Sequence, residues 1–198
     1  KIIFISEWVK NRYFKDLPIL SDNKTDIIYH SIDPIKKIHK KNKQIIFVGK
    51  LNESKGYDLY CKAMFKILDS NKDWNAYSIG EEKRFQNYPT HSRHKSLGQI
   101  SHSKVLEYLG KSEIAIIPSR WEEPFGRTAM EASSRGCATI ISKKGGLPET
   151  TDHAIKLKKL DVKNIEIPKN DKADEIKALE DNIDIPTYKT DVKEQIKG

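Results

Sequence analysis

Residues 44–69 read QIIFVGKLNESKGYDLYCKAMFKILD. Gln44 to Val48 is a run with no polar face until Gly49, the pattern of a strand covered on both sides in a parallel sheet. From Tyr57 the period changes. Leu59, Tyr60, Ala63, Met64, Ile67 and Leu68 fall on one face of a helix, while Lys62, Lys66 and Asp69 take the other. A buried strand, a glycine-bounded loop and an amphipathic helix form the first half of a βαβ unit.

The same alternation extends in both directions. Upstream, Ile2 to Ile5 predicts a short strand, Glu7 to Phe14 a helix, and Ile27 to Tyr29 another strand. Breaks are expected at Leu17-Pro18 with Ser21-Asp22-Asn23, and at Ser31 to Pro34, ahead of a polar linker over Lys36 to Lys43. Downstream, Trp74 to Ile79 predicts a strand ending at Gly80. Ser101 is expected to cap a helix running to Gly110 with Val105, Leu106 and Leu109 inward. Ile114 to Ile117 predicts a buried strand, Gly126 to Arg135 a helix stopped by Gly136, and Cys137 to Ile141 the next strand. The fold class is therefore α/β, a Rossmann-like doubly wound parallel sheet. Ligands in such sheets bind beyond the carboxyl ends of the strands.

Composition sets the outer bounds. The 198 residues are 37% hydrophobic and 32% charged, enough for a core and too apolar for a disordered chain. No apolar run approaches the roughly 18 residues that a membrane span needs. Lys1 to Ile5 is followed at once by Ser6-Glu7, which is no signal-peptide pattern, and without an initiating Met the expectation is a piece of something longer. The net charge of +8 rests on thirty lysines and six arginines scattered among acids rather than clustered with aromatics, which argues against nucleic acid as a partner. Cys61 and Cys137 stand in no CxxC pair and are expected as buried free thiols. The six histidines show no zinc-like spacing, so no metal is expected; His91 and His94 are expected at the surface.

Three loops can carry chemistry. In Pro118 to Gly126 (PSRWEEPFG), two acids precede Pro-Phe-Gly and a helix that opens with Arg127-Thr128. The first N–H groups of a helix lack internal partners, so that end can hold a phosphate. Glu123 lies before the helix start and Glu131 about 7–8 Å beyond it, one carboxylate on each flank of a bound anion. Such a pair suits a nucleotide sugar, which has hydroxyls on both sides of its diphosphate. Trp121 and Phe125 are expected in a core or lid role. In Gly49 to Gly56, Lys50 and Lys55 place two cations at the same sheet edge, although the GxxxxGK[ST] phosphate loop is absent. In Ser142 to Glu149, Gly145-Gly146 predicts a tight turn, either an ordinary one or one approaching a sugar or phosphate.

From Ile2 to about Leu160 the chain resembles the C-terminal half of retaining GT-B glycosyltransferases of the family-four group. The resemblance is carried by Ile28-Tyr-His-Ser-Ile-Asp33, Phe47-Val-Gly-Lys-Leu51 with Lys55-Gly56, Ser78-Ile-Gly80, Leu97-Gly98, the Glu123/Glu131 pair and Gly145-Gly-Leu-Pro-Glu149. It implies one half of a GT-B architecture. Lys50, Lys55 and Glu123 are then the catalytic candidates, the lysines on the donor diphosphate and Glu123 on the transferred sugar. Gly49, Pro124, Phe125, Gly126, Arg127 and Thr128 would line the sugar and phosphates, Glu131 would take the ribose hydroxyls, and Gly98, Gln99 and Ile100 would frame the base.

The resemblance further implies no cofactor or metal, and retention of configuration. The donor is a nucleoside-diphosphate sugar, UDP- or GDP-linked first. The acceptor is a glycan or lipid-linked glycan held by the other domain. Residues 1–25 are expected to be the remnant of that acceptor domain and the hinge, 26–165 the donor domain, and 166–198 a charged segment unlike the family's usual end. The chain alone is expected to bind donor weakly and transfer little, in the cytoplasm or peripherally at the inner membrane face. The alternatives are a GT-B-like nucleotide-sugar epimerase or phosphorylase and a non-catalytic nucleotide-sugar or membrane-docking module.

Departures from the family pattern are visible. Lys50 puts a point charge where the family most often has the fork of an arginine. His30-Ser31 replaces Asn-Gly.

Overall fold

In the computed structural model, which describes residues 1–17, 24–33, 40–84 and 88–165, the run from Asn42 to Val48 is a strand. Ile45, Ile46 and Phe47 are buried in succession, as a strand with both faces covered requires. In chain order the strands are β1 (Ile2–Phe4), β2 (Thr25–Ile27), β3 (Asn42–Val48), β4 (Asn75–Ile79), β5 (His94–Ser96), β6 (Ser112–Ile117), β7 (Ala138–Ser142) and β8 (Ile155–Leu157). The helices are α1 (Glu7–Asp16), α2 (Tyr57–Ser70), α3 (His102–Lys111) and α4 (Arg127–Ser134).

The large sheet runs β5-β4-β3-β6-β7-β8, and every recorded pairing in it is parallel. Renumbered within the sheet this is the order 3-2-1-4-5-6 of dinucleotide-binding folds. The order reverses between β3 and β6, and the crevice outside their carboxyl ends is where such sheets receive ligands. β1 and β2 form a separate two-stranded parallel sheet.

The predicted strands and helices fall in the predicted order, with no end moved by more than two residues. α2 buries Leu59, Tyr60, Ala63, Met64, Ile67 and Leu68 and exposes Lys62, Lys66 and Asp69, as its period requires. α4 ends in two bonds that a left-handed glycine makes possible. Gly136 has φ 76°, its N–H reaches Ser133 O at 2.9 Å, and Cys137 N–H reaches Ala132 O at 3.0 Å. Both cysteines are free and buried; burial pushes each thiol up to about 11.

Other expectations need correction. Ser101 stands at the N-cap of α3 but makes no capping bond; its hydroxyl lies 3.2 Å from that of Ser103. His91 and His94 are not surface groups. The His91 ring accepts a bond from Arg93 N–H and lies 3.4 Å from Asp69, with only 12% of its side chain exposed. The His94 ring lies 3.1 Å from the Ser78 hydroxyl, and burial holds its pKa below the usual value. β5 and β8 have no apolar run and were not expected. The break at 18–23, most of the polar linker and the segment 166–198 lie outside the described residues. No helix among the described residues is long and apolar enough to cross a membrane.

Candidate functional site

The loops leaving β3 and β6 are bound to each other. Arg120 N–H and Trp121 N–H both donate to Ser54 O at 2.9 Å. The Arg120 guanidinium forks onto Asp58 at 2.5 and 2.8 Å and also donates to Glu53 O at 2.7 Å. Burial alone would raise the Asp58 carboxyl; the Arg120 bonds outweigh it and hold the pKa below the usual value. Gly56 makes this approach possible: with φ 74°, a Cβ there would stand 2.0 Å from Pro118 O.

The loop after β7 closes on the same segment from another direction. Gly146 N–H donates to Glu123 O at 2.7 Å. A Cβ on Gly145 would lie 2.2 Å from Glu123 O, and one on Gly146 2.5 Å from Pro124 O. These glycines therefore serve a close approach of protein backbone.

α1 docks on this cluster. Ser6 is fully buried; its hydroxyl donates to Pro124 O at 2.6 Å and accepts from Val9 N–H at 3.1 Å. The Glu149 carboxylate accepts Glu7 N–H at 2.7 Å and Trp8 N–H at 2.9 Å, so a side chain from the β7 loop caps the first turn of α1.

A cleft of about 290 Å³ opens at the reversal between β3 and β6. Of the expected site residues, Gly49, Lys55, Glu123, Pro124, Phe125, Gly126, Arg127 and Thr128 line it. Ile5, His30, Ser119 and Leu147 also line it and were not anticipated. Lys50, Gly98, Gln99, Ile100 and Glu131 are not in its walls. Lys50 is exposed on the rim loop. Phe125 is 3% exposed, with the His30 ring 5.4 Å away, whereas Trp121 stands 58% exposed.

Inside the cleft Lys55 Nζ lies 2.6 Å from Glu123 Oε1, and the Ser119 hydroxyl donates to the same oxygen at 3.0 Å. Gly126, with φ 110°, is the N-cap of α4, and no side chain caps that helix. Its first turn is thus an anion-receptive end facing the cleft through Gly126, Arg127 and Thr128. Glu131 lies one turn further along. Its residue is 7% exposed, and its Oε1 is 3.0 Å from His102 Nε2 and 3.6 Å from an Arg127 Nη2. His102, Ser119 and Glu149 were missed as site residues, although Ser119 and Glu149 sit within loops already singled out. Among the described residues no three His, Cys, Asp or Glu side chains gather as metal ligands.

Comparison with known proteins places this geometry in a family. The profile described as "Glycosyl transferases group 1" matches residues 30–194. An uncharacterized glycosyltransferase of Methanocaldococcus jannaschii is 27% identical over 157 residues, covering 68% of this chain and 40% of that protein. The chain spans about two fifths of the length of the curated relatives it matches. A solved glycosyltransferase from Rickettsia africae superposes with a TM-score of 0.70 at 18% identity, over 90% of this chain and 53% of that one. Anabaena HepE, solved in complex with UDP and glucose, gives 0.66 at 18% identity over 91% and 53%.

Proposed function

The chain belongs to the group 1 glycosyl transferases, and from that premise we propose that it forms the donor-binding half of a retaining glycosyltransferase and holds a nucleoside-diphosphate sugar in the cleft at the β3–β6 reversal. The observation that carries this reading is the Lys55–Glu123 pair beside the uncapped first turn of α4. A diphosphate seated on that turn replaces Glu123 as the partner of Lys55. Freed of the lysine, Glu123 keeps the Ser119 bond and accepts from hydroxyls of the sugar. Arg127, also in the cleft wall, adds a second cation.

Transfer breaks the bond between the anomeric carbon and the diphosphate oxygen, and negative charge grows on the departing diphosphate. Lys55, Arg127 and the helix amides are worth most at that point, because their attraction rises with the charge. The acceptor oxygen bonds to the anomeric carbon from the face the nucleotide leaves, which retains configuration, and its proton passes to the departing phosphate. Lys50 and the 98–100 segment would complete the diphosphate and base contacts from the rim. The acceptor, a glycan or a lipid-linked glycan, belongs to the other half of the enzyme.

A thermal-shift panel of UDP-, GDP-, ADP- and TDP-sugars tests the reading, since a ligand that binds only the native state raises its melting temperature. A neighbour solved with UDP and glucose makes UDP-glucose the first donor to try. A flat response to all four donors would refute the reading. A response equally strong in Lys55→Ala would refute the site.

A further inference from the structure

Glu131 is a carboxylate almost withdrawn from water, with only 9% of its side chain exposed. Its two side-chain contacts both fall on Oε1: His102 Nε2 at 3.0 Å and Arg127 Nη2 at 3.6 Å. A carboxylate only accepts, so the His102 nitrogen facing it carries the hydrogen. Among the described residues no side-chain hydrogen bond or ion pair falls on Oε2. We propose that His102 is a positioning residue that pins Glu131 Oε1, aims Oε2 at the vicinal hydroxyls of a ribose, and so makes the site select ribonucleoside over 2′-deoxyribonucleoside diphosphates.

Two opposing pulls make the histidine necessary. Arg127 sits four residues before Glu131 on α4, its side chain is 65% exposed, and it lines the cleft. Left alone with it, the carboxylate follows a long flexible cation toward the cleft and the diphosphate. His102 comes from the first turn of α3, a different element, directly after the 98–101 segment. It holds the carboxylate from a fixed point. A diol rewards such fixing, because two hydroxyls must reach one carboxylate at once, whereas a 2′-deoxyribose offers one hydroxyl fewer and gains less from the alignment. The His102 side chain is itself 59% exposed, and α3 is anchored by Val105 and Leu109. Its removal therefore leaves the core intact.

The proposal rests on the donor-binding reading, and calorimetry on the full 198-residue chain separates the two. UDP, GDP and their 2′-deoxy counterparts are titrated into the wild type, His102→Ala, His102→Gln, Glu131→Gln and the His102→Ala/Glu131→Gln double variant. The wild type should prefer the ribose forms, and Glu131→Gln should abolish the preference. His102→Ala should lower ribonucleotide affinity about five- to tenfold, the loss of one charge-assisted hydrogen bond, and leave the deoxy affinity unchanged. His102→Gln should recover most of the loss, since its amide N–H can reach Oε1, and the double variant should be no worse than Glu131→Gln. An unchanged ribose preference in His102→Ala beside a collapsed one in Glu131→Gln overturns the proposal and leaves the donor reading standing. An equal loss for all four nucleotides in His102→Ala shows a merely structural role and also overturns it. If Glu131→Gln keeps the preference, the proposal falls and the donor reading stands; if neither UDP nor GDP binds the wild type, both fall.

Discussion

Lys55 and Glu123, 68 positions apart in the chain, meet at 2.6 Å in the cleft with 30% and 15% of their side chains exposed. Without ligand the cleft carries its own internal counter-ion. A diphosphate entering it competes with Glu123 for the lysine. Lys55→Ala should lower nucleoside-diphosphate affinity about tenfold or more, the worth of a charge-assisted bond in a partly enclosed site. Glu123→Gln should do the reverse for the bare nucleotide, raising its affinity a few-fold by removing the competing charge. The same variant should lose the extra affinity that an attached sugar brings. Titration of both variants with UDP and UDP-glucose checks the pattern; equal effects on the two ligands in Glu123→Gln would contradict the assignment of that carboxylate to the sugar.

Two glycines of like conformation separate backbone strain from crowding. Gly56 has φ 74° with Pro118 O only 2.0 Å from where a Cβ would stand, while Gly98 has φ 64° with nothing within 4 Å. Gly98→Ala meets only the left-handed penalty of about 1–2 kcal/mol. Gly56→Ala meets that penalty and also drives the β3 and β6 loops apart, at about 2 kcal/mol more. Melting temperatures should fall by about 3–6 °C for the first and distinctly further for the second. Equal losses would show that the approach of the two loops is unimportant to stability.

In the large sheet the strands most legible are those with both faces buried, because burial writes an apolar run. Ile45 to Phe47 and Ile114 to Ile117 are of this kind. β5 reads His-Lys-Ser and β8 Ile-Lys-Leu; both lie at sheet edges, where composition is free, and neither announced itself. The cleft loops were legible because glycine, proline and charge cluster where a ligand or a neighbouring loop comes close. Gly145-Gly146 shows the limit of that signal: the close neighbour is the backbone of Glu123 and Pro124. The partners His102–Glu131 and Glu149–Glu7 were illegible because they join segments 29 and 142 residues apart, and nothing local marks either.

His94 gives stability a pH dependence. Its ring is half-buried, 3.1 Å from the Ser78 hydroxyl, which also accepts from Tyr57 O–H at 3.2 Å. Burial, and then the neighbouring charge of His91, holds the His94 pKa below 6.5 in the native protein. The native ring therefore stays neutral while the unfolded chain begins to take up a proton. The contribution is complete above 6.5 and is lost as pH falls from there through the native pKa; below both values nothing further changes. Melting temperature against pH should fall over that window in the wild type and less steeply in His94→Gln. Parallel curves would assign the acid sensitivity to other groups.

Glu149 ties the start of the chain to the cleft. Its two oxygens accept Glu7 N–H at 2.7 Å and Trp8 N–H at 2.9 Å, and Tyr29 O–H reaches it at 3.3 Å. These amides are orphans of the first turn of α1, and a carboxylate there also meets the positive end of the helix dipole. Ile5 and His30 line the cleft from the same region, so the docking of α1 sets part of the wall. Glu149→Ala should free both amides and cost about 1–2 kcal/mol, as loss of a capping residue does. Glu149→Gln keeps one acceptor oxygen and should fall between the alanine variant and the wild type. Amide hydrogen exchange reads the effect locally. Glu7 and Trp8 should exchange about tenfold faster in Glu149→Ala, while amides within α4 keep their protection. If the two amides stay protected, α1 is held by Ser6 and its apolar contacts alone; if α4 loosens equally, Glu149 supports the whole β7 loop and its role is not confined to α1.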